Sequence, residues 1–192
     1  EENYKDGVSN GKYLAWYENG QLEKEGNTKN GKQDNLWTFY FENGQIRTEI
    51  DYKDGKKDGK HTVYYENGKK LEELNYKDGV SIGKYLAWHE NGQLEAERDT
   101  KNGKLDGNAK WWYENGQIET DLNYKNGMKD GEARWWTMNG LISTAGKYKN
   151  DKLWFKTNYL YHKNGMKSEE QSYKYGKKSG NWIEWHENGQ IM

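Results

Sequence analysis

With 192 residues, 15% aromatic and only 32% hydrophobic, the chain must bury rings rather than aliphatic side chains, which excludes a disordered segment poor in aromatics. Twenty-three glycines without a single proline or a three-residue period exclude collagen-like and proline-rich chains, and the absence of cysteine excludes disulfides, thiolate nucleophiles and Cys–zinc sites. Thirty basic against 31 acidic side chains give a net charge of −1 with the signs interspersed, so no basic face is offered to nucleic acid and no apolar run is long enough to span a bilayer.

Along the chain, one marker recurs: Glu18-Asn19-Gly20, Glu42-Asn43-Gly44, Glu66-Asn67-Gly68, Glu90-Asn91-Gly92, Glu114-Asn115-Gly116, Met138-Asn139-Gly140, Lys163-Asn164-Gly165 and Glu187-Asn188-Gly189. The step is 24 residues, except for 25 between Gly140 and Gly165. A second marker keeps the same beat, from Tyr4-Lys5-Asp6-Gly7 to Tyr173-Lys174-Tyr175-Gly176. Eight units therefore fill residues 1–192 as a single repeat domain. The seventh, around residues 148–172, is irregular: Asp151 replaces a glycine, Lys152–Asn158 has none, and one residue is inserted.

Asn-Gly between two strand-like runs predicts a β-hairpin with a type I′ turn. The other connection, such as Tyr52-Lys53-Asp54-Gly55-Lys56-Lys57-Asp58-Gly59, reads as a longer loop. No run has a helical period. The expected fold is all-β: an elongated, twisted antiparallel sheet of eight hairpins, sixteen short strands in all.

The expected register sets Tyr17 opposite Leu22, Ala15 opposite Lys24, Tyr13 opposite Gly26, Trp16 opposite Glu23 and Leu14 opposite Glu25. One side then gathers the core: Tyr13, Tyr17, Leu22, Trp37, Phe39, Phe41, Ile46, Ile50, Val63, Tyr65, Leu74, Trp111, Tyr113, Ile118, Leu122, Trp135 and Ile142. The other carries one ring per unit, at Trp16, Tyr40, Tyr64, Trp88, Trp112, Trp136, Tyr161 and Trp185. An acidic rim runs beside that column at Glu25, Glu49, Glu73, Glu97 and Asp121. Residues 3–26 and 75–98 differ only at Asn10/Ile82, Tyr17/His89, Lys24/Ala96 and Gly26/Arg98, the trace of a block duplication.

Units such as Gly107–Ile118, followed by Tyr124-Lys125-Asn126-Gly127 and Asp130-Gly131, resemble the MORN-repeat variant of bacterial proteins, many of them grouped as YwqK-type antitoxins. The resemblance covers all eight units; the seventh and Asn35, where other units have glycine, depart from it. It implies a hairpin array with a non-enzymatic, protein-binding role, and names no partner.

The residues themselves offer no catalytic constellation. His89, His162 and His186 stand where other units have Tyr17, Phe41, Tyr65 and Tyr113, in separate hairpins, so they read as ring substitutes and not as metal ligands. The acidic column repeats in every unit, whereas an active site needs one asymmetric cluster. No metal and no cofactor is expected, and neither the Asp-containing loops nor the glycine turns have the donor set for calcium or phosphate.

The leading functional expectation is protein–protein binding through the aromatic column and its acidic rim, with a basic-surfaced toxin or effector as partner. Alternatives are glycan or choline recognition at the cell envelope, and lipid-headgroup contact, against which the acidic rim argues. Rings packing back onto neighbouring strands would instead complete the core. Sheet ends open to self-association, a chain that is part of a longer array, and a cytoplasmic or an exported location all remain open.

Overall fold

The computed structural model describes residues 1–192 and contains no helix. The strands are β1 (Glu2–Lys5), β2 (Val8–Trp16), β3 (Leu22–Lys29), β4 (Lys32–Tyr40), β5 (Ile46–Lys53), β6 (Lys56–Tyr64), β7 (Lys70–Lys77) and β8 (Val80–Trp88). They continue as β9 (Leu94–Lys101), β10 (Lys104–Trp112), β11 (Ile118–Lys125), β12 (Met128–Trp136), β13 (Ile142–Lys149), β14 (Lys152–Tyr161), β15 (Lys167–Lys174) and β16 (Lys177–Glu184). All sixteen belong to one open sheet whose strand order is the chain order. Packing divides the chain into two units: Glu1–Leu94 with Thr100–Gly103, and Glu95–Asp99 with Lys104–Met192.

The two turn types are exchanged relative to the sequence expectation. At Glu18-Asn19-Gly20, Gly20 N–H donates to Tyr17 O at 3.0 Å and Tyr17 N–H to Gln21 O at 2.8 Å, and only Gly20 has a positive φ, +84°. That is a three-residue loop with a glycine bulge, not a type I′ turn. Asn19 is needed there for its side chain: Oδ1 accepts the N–H of Gln21 at 2.9 Å, and Nδ2 donates to Glu42 O in the next unit at 3.3 Å. The type I′ turns lie at the second marker. Asp6 and Gly7 have φ of +51° and +76°, flanked by the directly paired Lys5 and Val8. The expected long loop therefore shrinks to two residues and its lysines enter strands.

The bulge also corrects the register. Away from the turn it is as expected, with Ala15 opposite Lys24, Leu14 opposite Glu25 and Tyr13 opposite Gly26. At the turn, Trp16 pairs with Leu22 and not Glu23, because the ladder shifts between Ala15 and Trp16. The same shift sets Ile46, Ile118 and Ile142 opposite Tyr40, Trp112 and Trp136. These four aliphatic side chains sit beside the aromatic column, and not on the face assigned to the core.

In the first unit that face is shielded best around Trp37 and Ile50, which are 4% and 6% exposed and directly paired. Tyr13, Trp37 and Phe39 pack in series, with centroid distances of 5.2 and 6.3 Å. In the second unit Leu122 is 5% exposed, and Ala109 and Ala133, on the strands either side of it, are 1% exposed. Ring positions alternate: Tyr13 and Tyr85 are followed two residues later by Ala15 and Ala87, whereas Ala109 and Ala133 are followed by Trp111 and Trp135. β2, β8, β10 and β12 thus each place one ring and one alanine on this face, whereas β4 places two rings, Trp37 and Phe39. No large side chain is completely enclosed.

Successive units are stitched at both turn levels. Gly31 N–H donates to Ser9 O and Gly55 N–H to Gln33 O, both at 2.8 Å, and Gly127 N–H to Leu105 O at 2.7 Å. On the opposite edge, the hydroxyls of Tyr17, Tyr65 and Tyr113 donate to the carbonyls of Tyr40, Trp88 and Trp136 at 2.6, 2.8 and 2.8 Å. These bonds bind loops that a hairpin ladder alone leaves to solvent.

The seventh unit breaks one regularity. In β2, β4, β6, β8, β10, β12 and β16 the strand bulges at a residue of positive φ, a glycine everywhere except Asn35 at +60°. Asn35 thus keeps the glycine conformation. In β14 no residue after its opening turn has positive φ, and the bulge falls at Trp154, between the pairs Tyr148–Leu153 and Lys147–Phe155.

Candidate functional site

The aromatic column is built by period alone. Its members from Trp16 to Tyr161 are the last residues of β2, β4, β6, β8, β10, β12 and β14, and Trp185 follows β16 in a bridge to Ile191. In the first unit Trp16 is 46% exposed, while Tyr40, Tyr64 and Trp88 are half-buried. In the second, Trp112, Trp136, Tyr161 and Trp185 are half-buried.

Phenols and indoles in the column are held differently. The hydroxyls of Tyr40 and Tyr64 each donate at 2.6 Å, to Glu25 Oε1 and Glu49 Oε2 on the preceding strand. Burial, then the adjoining carboxylate, pushes both phenols up to about 12. Tyr161 donates to Ile142 O at 2.7 Å. The indole of Trp88 has the Lys70 ammonium 5.6 Å from its centroid, and that of Trp185 has Lys167 at 5.2 Å. A cationic side chain already sits over these two rings. Sequence reading missed Lys70 and Lys167, although both stand where Leu22 and Ile46 stand in other hairpins.

The acidic rim lies where expected, but its carboxylates have partners within the sheet. Beyond Tyr40, Glu25 has Lys12 at 3.7 Å. Glu73 Oε2 lies 2.6 Å from Lys70 Nζ and 3.0 Å from Lys60 Nζ, and the Lys70 contact foremost holds its carboxyl below the usual range. Asp121 accepts from Asn108 Nδ2, and Glu97 is likewise engaged. The rim thus orients rings and lysines as well as presenting charge.

The histidines remain in separate hairpins. His162 Nε2 meets Trp185 O at 2.8 Å, the contact made elsewhere by a tyrosine hydroxyl. His61 packs at 5.9 Å from the Tyr76 ring with Nδ1 buried and unpartnered, and burial, with Lys57 nearby, pushes it down to about 4. No three His, Cys, Asp or Glu side chains gather closely enough to hold a metal, and no helix is long and apolar enough to cross a membrane.

The period, the paired turns and the ring positions together are matched by one known family, the MORN repeat variant, over residues 9–30, 33–54, 57–78, 82–102, 105–126 and 178–192. The chain belongs to the MORN repeat variant family. MORN repeats are commonly modules that bind proteins or lipids. The match leaves out residues 127–177, which hold most of the sixth unit and the seventh. No curated protein matches the chain.

Proposed function

We propose that this MORN-repeat chain is a non-catalytic interaction protein that binds another protein through the face carrying the aromatic column, in the manner of an antitoxin or immunity protein that neutralises a toxin or effector. The observation that carries the reading is the placing of Lys70 over Trp88 and Lys167 over Trp185, with Glu73 and Glu170 each within 2.9 Å of those lysines. Each ring, cation and carboxylate set is a small receptor for a basic side chain, filled by the protein's own lysine. A partner's Lys or Arg displaces it and gains the same ring and carboxylate. The indoles supply apolar area, and the exposed Trp16 gives a first contact.

The test uses the full chain as bait in source-cell extract, followed by affinity measurement with the captured protein. Trp88→Ala and, separately, Trp112→Ala are expected to weaken binding about tenfold or more while the sheet stays folded. Unchanged affinity in both variants removes this face from consideration. Binding to anionic vesicles and to no protein would assign the face to lipid instead.

A further inference from the structure

A cleft of about 590 Å³ opens beside the seventh unit's turn, lined by Lys149, Asn150, Lys152, Trp154, Lys174 and Tyr175. We infer that it is a binding site for a flat-ringed organic anion, the ring seated against Trp154 and Tyr175 and the anionic group held by Lys152 and Lys174.

The basic, ring-walled character of the cleft arises from the break in the repeat: the corresponding cleft between regular turns, of about 380 Å³, is lined by Asp34 and Asp58 beside Lys29 and Lys53. In β4, β6, β10 and β12 the third residue of the strand is an aspartate, Asp34, Asp58, Asp106 or Asp130, which puts a carboxylate in this place. Asp58 accepts from the backbone N–H of Asp78 at 3.1 Å and binds Lys77 Nζ at 3.0 Å; Asp130 binds Lys149 at 3.0 Å. In β14 that position is the bulged Trp154, whose carbonyl takes the N–H of Tyr175 at 2.9 Å. Lys174, the counterpart of Lys77 and Lys149, is left without a carboxylate, its ammonium 6.0 Å from the Tyr175 ring centroid. Lys152 has no carboxylate partner either. Lys149 is neutralised by Asp130, so two positive charges face the space. The carboxylate of Asp151 on the adjoining turn is engaged by the Lys129 N–H at 2.8 Å.

Two further observations mark the place. Tyr175 and Asp151 are held at φ of +51° and +63°, positions given elsewhere to Asn or Asp and to glycine. A bulky ring in that region is strained, and its retention at the mouth of a cleft fits a ligand contact. The volume is that of a small-molecule site, with convergent polar groups on ring walls. Residues 127–177 lie outside the family match, so the cleft belongs to this chain's own departure from the repeat.

The experiment follows the ten indole N–H signals of the full chain by NMR during titration with adenosine 5′-monophosphate, phenylacetate, adenosine and inorganic phosphate. The Trp154 signal, assigned by its loss in Trp154→Phe, is expected to shift with a ring-bearing anion, and at least tenfold more weakly with adenosine or phosphate alone. Preference between the first two probes tells a phosphate-bearing from a carboxylate-bearing ligand. Lys152→Ala and Lys174→Ala are expected to weaken the response about threefold to tenfold each, and Lys77→Ala, at the corresponding position of a regular turn outside the cleft, to leave it unchanged. The proposal is overturned if neither anionic probe moves Trp154 at millimolar concentration, or if the shift survives loss of both Lys152 and Lys174. Both lysines are exposed, so these variants fold. Neither result bears on the aromatic column.

Discussion

The indole of Trp37 lies directly on the backbone of Gly26: a β-carbon at Gly26 would stand 2.4 Å from Trp37 Cδ2. The ring is fixed from its other end by Nε1 donating to Asn27 O at 2.9 Å. Three units further on, the same two positions are Arg98 and Ala109, where the large side chain has moved to the other strand. Gly26→Ala is therefore expected to destabilise by about 1–3 kcal/mol, read from chemical denaturation. Trp37→Ala in the same chain should suppress most of that increment, since nothing then occupies the space. Additive losses would show that the backbone, and not the ring, makes glycine necessary.

The two kinds of turn give opposite expectations for one substitution. Asn115 accepts the N–H of Gln117 at 3.0 Å and donates to Met138 O at 2.7 Å, while Asn126 sits at φ +52° with its side chain in no such bond. Asn115→Gly should destabilise by about 1–2 kcal/mol through lost hydrogen bonds. Asn126→Gly should fall within about 0.5 kcal/mol of the parent, because glycine adopts that conformation freely. Thermal unfolding of the two variants side by side decides it; equal losses would contradict the turn assignment.

His61 ties stability to acid. Its folded value, about 4, lies below the ordinary histidine value of 6.5, so the unfolded chain binds the proton more readily between those limits. Stability from this group is full above pH 6.5 and falls as pH drops towards 4. Tyrosine occupies the equivalent positions at Tyr13 and Tyr85, so His61→Tyr is a fair replacement. The variant should lose less melting temperature than the parent between pH 7 and pH 4.5. Parallel curves would remove His61 from the account.

Tyr40 and Tyr64 act at the other end of the scale. Raised to about 12 from 10, they contribute stability that is present below pH 10 and is lost as pH climbs through 12. A spectrophotometric titration of tyrosinate should show these two phenols among those that ionise late, since Tyr52, Tyr124 and Tyr148 are also raised by burial. Tyr64→Phe should remove one of them and cost about 1 kcal/mol at neutral pH by leaving Glu49 without its donor. A late phase undiminished in Tyr64→Phe would place the raised group elsewhere.

The repeat length, the all-β class and the alternation of faces were legible in the sequence because a strand has a period of two and a hairpin needs its glycine at a fixed offset. Local chemistry of that kind is written into Glu18-Asn19-Gly20 and Lys5-Asp6-Gly7 alike, and it placed Trp16 and Tyr40 in one column. It did not say which marker makes which turn. Asn19 and Asp6 look equivalent in the chain, and only the next unit's carbonyl at Glu42 shows that Asn19 is retained for a hydrogen bond rather than for its φ. The register near the turn, the partner of Trp16 and the lysine over Trp88 depended on a bulge that no period announces. The same holds for the basic cleft: the inserted residue was visible, but the uncompensated lysines came from Trp154 taking an aspartate's place against a turn in the following unit. Sequence determined what repeats, through constraints within one hairpin. Tertiary structure decided what the repeats do to each other, because those contacts join residues about one unit apart and depend on side-chain volume and direction together.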